Sequence, residues 1–330
     1  MAQLFPKLMT VENLSRLVGS KLSKTPKIAA IEGFCFNPKK VKNADAFIAL
    51  DTLKEDIDEA IANGAYAVIF DDDIKMTNDE IAYIKVSDIK RAIYRLINYF
   101  IVSKNITIYS VDPLQEAILD YLGVGALLKE SNLEKSFFKI YDGESDTKFV
   151  AAKEFAAKLS KQSSFVVSAL SQEPTLFSYG LFYSKFGYED RLYELAFPRV
   201  FLKELCELLS FLDREELSYR LTKRPFDHFK PLFLNQNYEP IDFGESRRVF
   251  IIESDPFIFE RAALFLRKIF PNSSYLAAPL YYQNRLKADM YYYNIKELEI
   301  RANDFYLLIL GDMEEILKKL SPQKSSNRLF

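Results

Sequence analysis

Glycine is scarce in this sequence: 10 residues in 330, standing singly except for Gly123-Val124-Gly125. Close approach of backbone N–H groups to a phosphate usually draws on clustered glycine, so a glycine-lined phosphate cradle is not expected. Histidine occurs once, as His228, which all but removes a histidine-based triad and a multi-histidine metal centre. Tryptophan is absent. The two cysteines, Cys35 and Cys206, have apolar surroundings and no metal-type spacing, and read as reduced core thiols of a cytoplasmic protein. No apolar run reaches the length of a membrane span, and the stretch 1–7 lacks the apolar centre of a signal peptide. Neither sign of charge dominates, with Lys+Arg 44 against Asp+Glu 46 and a net charge of -2. There is no global basic field to hold a nucleic-acid backbone. The absences together describe a cytoplasmic protein with no cofactor, no metal, no nucleic-acid partner and no membrane span.

What is present is a globular balance, 49% hydrophobic and 27% charged, in a chain long enough for two or three cored domains. Periodicity predicts helices over 12–22 and 54–63, the second closed by Gly64, and strands over 28–36, 47–50, 65–70 and 81–86. Asp88 is placed to cap a helix whose apolar stripe is Ile93, Leu96, Ile97, Phe100 and Ile101. That alternation implies a mostly parallel α/β first domain over 1–103. A second domain, 104–240, opens with a strand over 106–109 that leads through Asp112-Pro113 into a helix over 114–122. It continues with strands over 137–140 and 165–170, an alanine-rich helix over 149–160 between them, and an amphipathic helix over 200–212. The polar, proline-bearing stretch 225–240 reads as its end. A small third domain, 241–330, repeats the rhythm: strand 249–252, helix 258–269, strand 305–310, helix 313–320.

One segment carries a resemblance. Asn37-Pro38-Lys39-Lys40-Val41-Lys42-Asn43-Ala44-Asp45-Ala46-Phe47-Ile48-Ala49-Leu50 resembles the D-S-R-x-V-x-x-G-D-x-F-x-A-L element of the Mur ligases, with Val41, Asp45, Phe47, Ala49 and Leu50 matching and Lys39 in place of arginine. Gly64-Ala65-Tyr66-Ala67-Val68 resembles the G-A-x-A-V element that follows, and 9–19 fits the helix that precedes. Mur ligases add amino acids or dipeptides to UDP-N-acetylmuramoyl precursors of peptidoglycan. The resemblance implies a Mur-ligase-like N-terminal α/β domain followed by reduced, Rossmann-like α/β domains. In the third domain, Ile251-Ile252-Glu253-Ser254-Asp255-Pro256 with Arg261-Ala262-Ala263-Leu264 resembles the family's aspartate-rich, N-P-containing turn and its helix, across a one-residue gap.

Departures fall where that family binds its ligands. The D-S-R triplet, which helps hold the uridine diphosphate, has become Asn37-Pro38-Lys39, and Asp51 to Glu55 stand where a glycine-and-histidine loop is usual. The family's phosphate loop, G-T-x-G-K followed by serine or threonine, corresponds to Ser110-Val111-Asp112-Pro113-Leu114-Gln115. Both glycines are gone, Pro113 has no N–H to donate, Leu114 stands for the lysine, and Asp112 would repel a phosphate. The resemblance thus implies a degenerate member without catalytic residues, a scaffold or regulator of peptidoglycan synthesis or cell shape whose partners are other cell-wall synthesis proteins. Two alternatives stand beside it: a binder of a UDP-sugar or cell-wall fragment through Asn37, Lys39 and Lys42, and a divergent amide ligase with a rebuilt nucleotide site.

Other features have a bland and a sharp reading each. Lys39 and Lys42 are solvated turn lysines or diphosphate contacts. Asp71-Asp72-Asp73 is a capping loop or a magnesium site. Gly123-Val124-Gly125 follows a helix and makes a poor dinucleotide fingerprint. Cys206 and His228 read as structural rather than as a catalytic pair. Tyr281, Tyr282, Arg285, Tyr291 and Tyr292 are core or half-buried residues, or the best candidate for an interface.

Overall fold

A computed structural model describes residues 9–20, 22, 27, 29–74, 76, 78–161, 163–165, 170, 172–301 and 306–320. The chain forms two compact units: Met1–Ser110 with Leu128–Ser164, and Val111–Leu127 with Phe165–Phe330. The boundary expected after residue 103 lies inside the first unit, and that expected after residue 240 lies inside the second. A cut at 240 would separate the strand Lys230–Leu234 from Val249–Glu253, with which it pairs.

The first unit contains a four-stranded sheet in sequence order, Gly33–Cys35, Asp45–Ile48, Ala67–Phe70 and Ala82–Lys85, parallel throughout. Its two central strands are buried along their whole length, which is why they read as unbroken apolar runs rather than alternating ones. The strand expected over 28–36 is interrupted at Glu32, giving Ala30–Ile31 and Gly33–Cys35. Helix Lys54–Ala62 is followed by Gly64 at φ 104°, a backbone state that side chains resist. Asp88 accepts from the Arg91 amide and starts Ile89–Ser103, whose buried stripe includes Ile93, Leu96, Ile97, Phe100 and Ile101, as expected from periodicity.

Two expectations in this unit are corrected. Residues 137–140 are not a strand; they belong to the helix Leu133–Asp142. Asn132 accepts from the Lys135 amide to start it, and Leu133, Ser136, Phe137 and Ile140 bury one helical face. The helix expected over 149–160 is a strand, Lys148–Ala152, followed by the shorter helix Lys153–Leu159. Of the strand expected over 165–170, Ser164–Phe165 is observed, and 166–169 fall outside the described residues. A second four-stranded sheet has the order Ser164–Phe165, Thr107–Val111, Lys148–Ala152, Leu127–Leu128.

In the second unit a six-stranded sheet has the order Pro240–Ile241, Lys230–Leu234, Val249–Glu253, Tyr306–Leu310, Ser274–Pro279, Met290–Tyr292. The last four are parallel and the first two antiparallel to their neighbours. The stretch expected to end the second domain, 225–240, supplies an edge hairpin to this sheet; Pro231 and Pro240 sit near its margin, where a missing N–H is tolerated. Helices Pro256–Ile269 and Met313–Leu320 follow strands Val249–Glu253 and Tyr306–Leu310, as expected. A separate antiparallel sheet, Thr175–Leu176, Ser184–Tyr188, Arg191–Leu195, turns through Glu189 and Asp190, both at positive φ as a two-residue hairpin turn requires.

Candidate functional site

The Asn37 to Lys42 turn is held by its own side chains. Asn37 Oδ1 accepts from the Lys39 amide at 3.0 Å and starts the short 3-10 helix Pro38–Lys40. Asn63 Nδ2 donates to the Pro38 carbonyl at 3.0 Å. Buried Asp45 accepts from the Lys42 amide at 2.8 Å, so the motif aspartate closes the turn that leads into its strand. Lys39 and Lys42 point to solvent, and none of the three cavities described below is lined by Asn37, Lys39 or Lys42.

At the expected phosphate loop there is no loop. Strand Thr107–Val111 is followed by the single residue Asp112 and then by helix Pro113–Tyr121. Asp112 Oδ1 accepts from the Gln115 amide at 2.9 Å, and Gln115 Oε1 accepts from the Asp112 amide at 3.0 Å, a reciprocal capping box. Ser110 and Leu114 are buried. The protein's own carboxylate thus occupies the helix start where an anion would otherwise be drawn by the amides and the dipole. Asp112→Ala is expected to cost about 1 kcal/mol of stability; an unchanged midpoint in chemical denaturation would mean that the cap contributes nothing.

Other candidates separate. Asp71 caps the next helix by accepting from the Ile89 amide at 2.9 Å, and Asp73 pairs with Lys85. Among the described residues no cluster of three metal-ligating side chains occurs. Gly123, at φ 60°, lies just past the end of helix Pro113–Tyr121 rather than at the start of one. Both thiols are buried and unbridged, and burial pushes the Cys206 thiol up to about 12. The tyrosine group divides. Tyr281 is 78% exposed beside Tyr282, their rings 4.6 Å apart, and Arg285 is exposed. Tyr291 is half-buried and donates to the Leu286 carbonyl at 2.6 Å. Tyr292 is only 6% exposed and donates to the Leu310 carbonyl at 2.6 Å, so it is a core residue; its neighbour Tyr293, 85% exposed, is the one turned outward. Tyr291 and Tyr292 are successive residues of the strand Met290–Tyr292 and so leave opposite faces, while Tyr293 follows its end.

The structure brings together a pair that sequence reasoning separated. Glu253, the last residue of the buried strand Val249–Glu253, is itself buried. Its Oε1 accepts from His228 Nδ1 at 2.9 Å and from the Asp255 amide at 2.8 Å, and its Oε2 from the Phe229 amide at 3.0 Å. His228 lines a cavity of about 460 Å³ together with Arg224, Lys230, Tyr183 and Phe243. This lies at the carboxyl end of a parallel strand, where open α/β sheets place ligands. The available signal was a charged residue ending an otherwise apolar strand, Val249-Phe250-Ile251-Ile252-Glu253.

Burial works to lower the His228 pKa, but the hydrogen bond and charge of Glu253, with Asp255 and Asp227, outweigh it and hold it above the ordinary 6.5. A folded-state value above the unfolded one means a stabilising contribution fully present below pH 6.5 and lost as pH rises through the folded value. Imidazole NMR, unambiguous for a single histidine, is expected to give a midpoint above 6.5; a midpoint below it would show that burial wins.

The first unit holds a larger cavity, about 750 Å³, lined by Arg16, Glu32, Phe34, Tyr99, Phe100 and Tyr141 among others. Lys104 borders it but donates to the carbonyls of Ile140, Tyr141 and Gly143, closing the end of helix Leu133–Asp142. A third cavity, about 470 Å³, lies beside Phe233 and Tyr306.

No family model and no curated protein matches this sequence. Among solved structures, MurF from Acinetobacter baumannii (crystal structure I) is similar at a TM-score of 0.50 and 10% identity, over 95% of this chain and 98% of that one. The MurF ligase from Thermotoga maritima, determined in complex with ADP, is similar at 0.47 and 12% identity, over 87% and 97%. The first likeness shows a shared Mur-ligase-like α/β fold. Among the described residues no helix is long and apolar enough to cross a membrane.

Proposed function

We propose that this chain is a Mur-ligase-like protein that performs no ATP-driven ligation and serves as a scaffold or regulator of peptidoglycan synthesis or cell shape, in the cytoplasm, through contacts with other cell-wall synthesis proteins. The carrying observation is the capping box of Asp112 and Gln115 in the position of the phosphate loop. Phosphoryl transfer depends on positioned cations and backbone donors. Here the Gln115 amide is already taken, Pro113 offers none, and the side chain corresponding to the loop lysine is buried leucine. A triphosphate would meet a carboxylate first. Support for the peptidoglycan connection comes from the shared fold together with the Val41, Asp45, Phe47, Ala49, Leu50 pattern, in which Asp45 and Phe47 are buried framework residues.

Calorimetric titration of the full chain with Mg-ATP and, separately, with UDP-N-acetylmuramoyl-tripeptide tests this reading. Silence with both, alongside crosslinked recovery of cell-wall enzymes from cells, is the expected result. Heat with the UDP compound alone would favour the small-ligand binder acting through Lys39 and Lys42. Saturable Mg-ATP binding would overturn the proposal and restore the divergent ligase.

A further inference from the structure

A carboxylate as deep as Glu253 persists only when donors surround it. Two of its three donors are backbone amides, of Phe229 and Asp255, and these serve the carboxylate alone. The third, His228 Nδ1, does something else: it fixes the orientation of an imidazole whose side chain remains 24% exposed at a cavity wall. With Nδ1 committed to Glu253, Nε2 is the ring nitrogen left to meet a ligand. Phe226 supports the ring at 5.4 Å between centroids.

The surroundings define the ligand. Tyr183 and Phe243, 50% and 55% exposed, meet edge to face at 5.3 Å, and Phe182 packs on Phe243 at 6.0 Å, so one wall is aromatic. Lys230 and Arg224 also line the cavity. Lys230 lies 3.4 Å from Asp227, while Arg224 has Asp227 and Asp120 only at 4.0 Å, the outer limit of an ion pair. Arg224 is steadied by donating to the Asp120 carbonyl at 2.7 Å. Asp227 offsets part of the charge of Lys230 and Arg224, which favours a singly charged head over a doubly charged phosphate, and this stretch has no glycine-lined amide cluster. A singly charged head with an apolar body suits this mixed basic and aromatic lining, and the volume, about 460 Å³, is at the small end of ligand pockets.

We propose that this pocket binds a small organic monocarboxylate with an aromatic or alicyclic body, its carboxylate accepting from the Nε2–H of the protonated His228 ring and its own ring against Tyr183 and Phe243. Glu253 is a positioning residue, and the pocket acts independently of any scaffold role.

Because His228 is the single histidine, its imidazole nitrogens give unique signals in the full-length protein. The experiment titrates 2-naphthoate at about pH 6, where the ring is protonated, with uncharged 2-naphthamide and inorganic phosphate as comparisons, while following those signals. Naphthoate is expected to move the Nε2 resonance saturably, naphthamide to bind at least about ten-fold more weakly, and phosphate not to displace naphthoate; one lost charge-assisted hydrogen bond accounts for that ratio. His228→Gln and Tyr183→Ala should each weaken naphthoate, read by fluorescence, about ten-fold or more. An unmoved resonance, equal binding of the amide, or displacement by phosphate at matching concentration would each overturn the proposal. The wild-type titration decides this even if His228→Gln does not fold, and none of its outcomes bears on Mg-ATP.

Discussion

Glu253→Ala is expected to destabilise the second unit by about 3–5 kcal/mol, lowering its melting temperature by roughly 10 °C. The cost is not the lost side chain alone. Removing the carboxylate leaves the Phe229 amide, in the interior, and the half-buried Asp255 amide and His228 Nδ1 without their acceptor. It also strips the end of a fully buried strand that pairs in parallel register with Tyr306–Leu310. Glu253→Gln, nearly the same size, should still cost about 1–3 kcal/mol, because the amide offers one acceptor oxygen where donors approach both. In that variant the His228 midpoint should fall, since burial then works against the charged ring with less opposition. Scanning calorimetry of both variants checks the order; a Glu253→Ala protein melting within a degree or two of wild type would remove Glu253 from the account.

Phe137→Ala carries the second large effect, about 3–5 kcal/mol lost from the first unit. Phe137 is fully buried, on the inner face of helix Leu133–Asp142. Its ring meets Phe34 at 5.4 Å, Phe36 at 5.3 Å, Phe138 at 5.5 Å, Tyr141 at 5.9 Å and Phe100 at 6.1 Å. Four of these contacts are edge-on and that with Tyr141 is stacked, arrangements the ring quadrupole favours. Such a cluster cannot collapse around a methyl group, so a cavity remains. Phe137→Leu should lose less, having more of the volume to fill. Denaturant titration reads both; a loss below about 1 kcal/mol for the alanine variant would mean the helix is not packed through this residue.

Much of the first unit was legible because its signals are local. Phe47-Ile48 and Val68-Ile69 belong to short unbroken apolar runs, too short for a helix and rich in strand-forming residues, the pattern of a strand covered on both faces. Asp88 and Asp112 cap helices within three residues of themselves, so their roles follow from adjacency. At 137–140 the same kind of reading failed: Phe-Phe-Lys-Ile has strand-forming residues, but Leu133 and Ser136 continue a helical face that packing selects. Between the core and interface roles open to Tyr291 and Tyr292, sequence adjacency gives no choice, because successive strand residues leave opposite faces and which face is covered depends on the sheet.

The site divides along the same line. That no glycine-rich loop follows strand Thr107–Val111, and that Asp112-Pro113 begins a helix there, the sequence by itself determined, since both depend on residues within one turn of each other. That His228 meets Glu253, 25 residues on, only the tertiary structure decided. Lys230–Leu234 pairs antiparallel with Val249–Glu253, and this register draws the residues preceding one strand to the end of the other. Such pairing is set by which apolar faces can be covered together, a property of the whole sheet that no local spacing encodes.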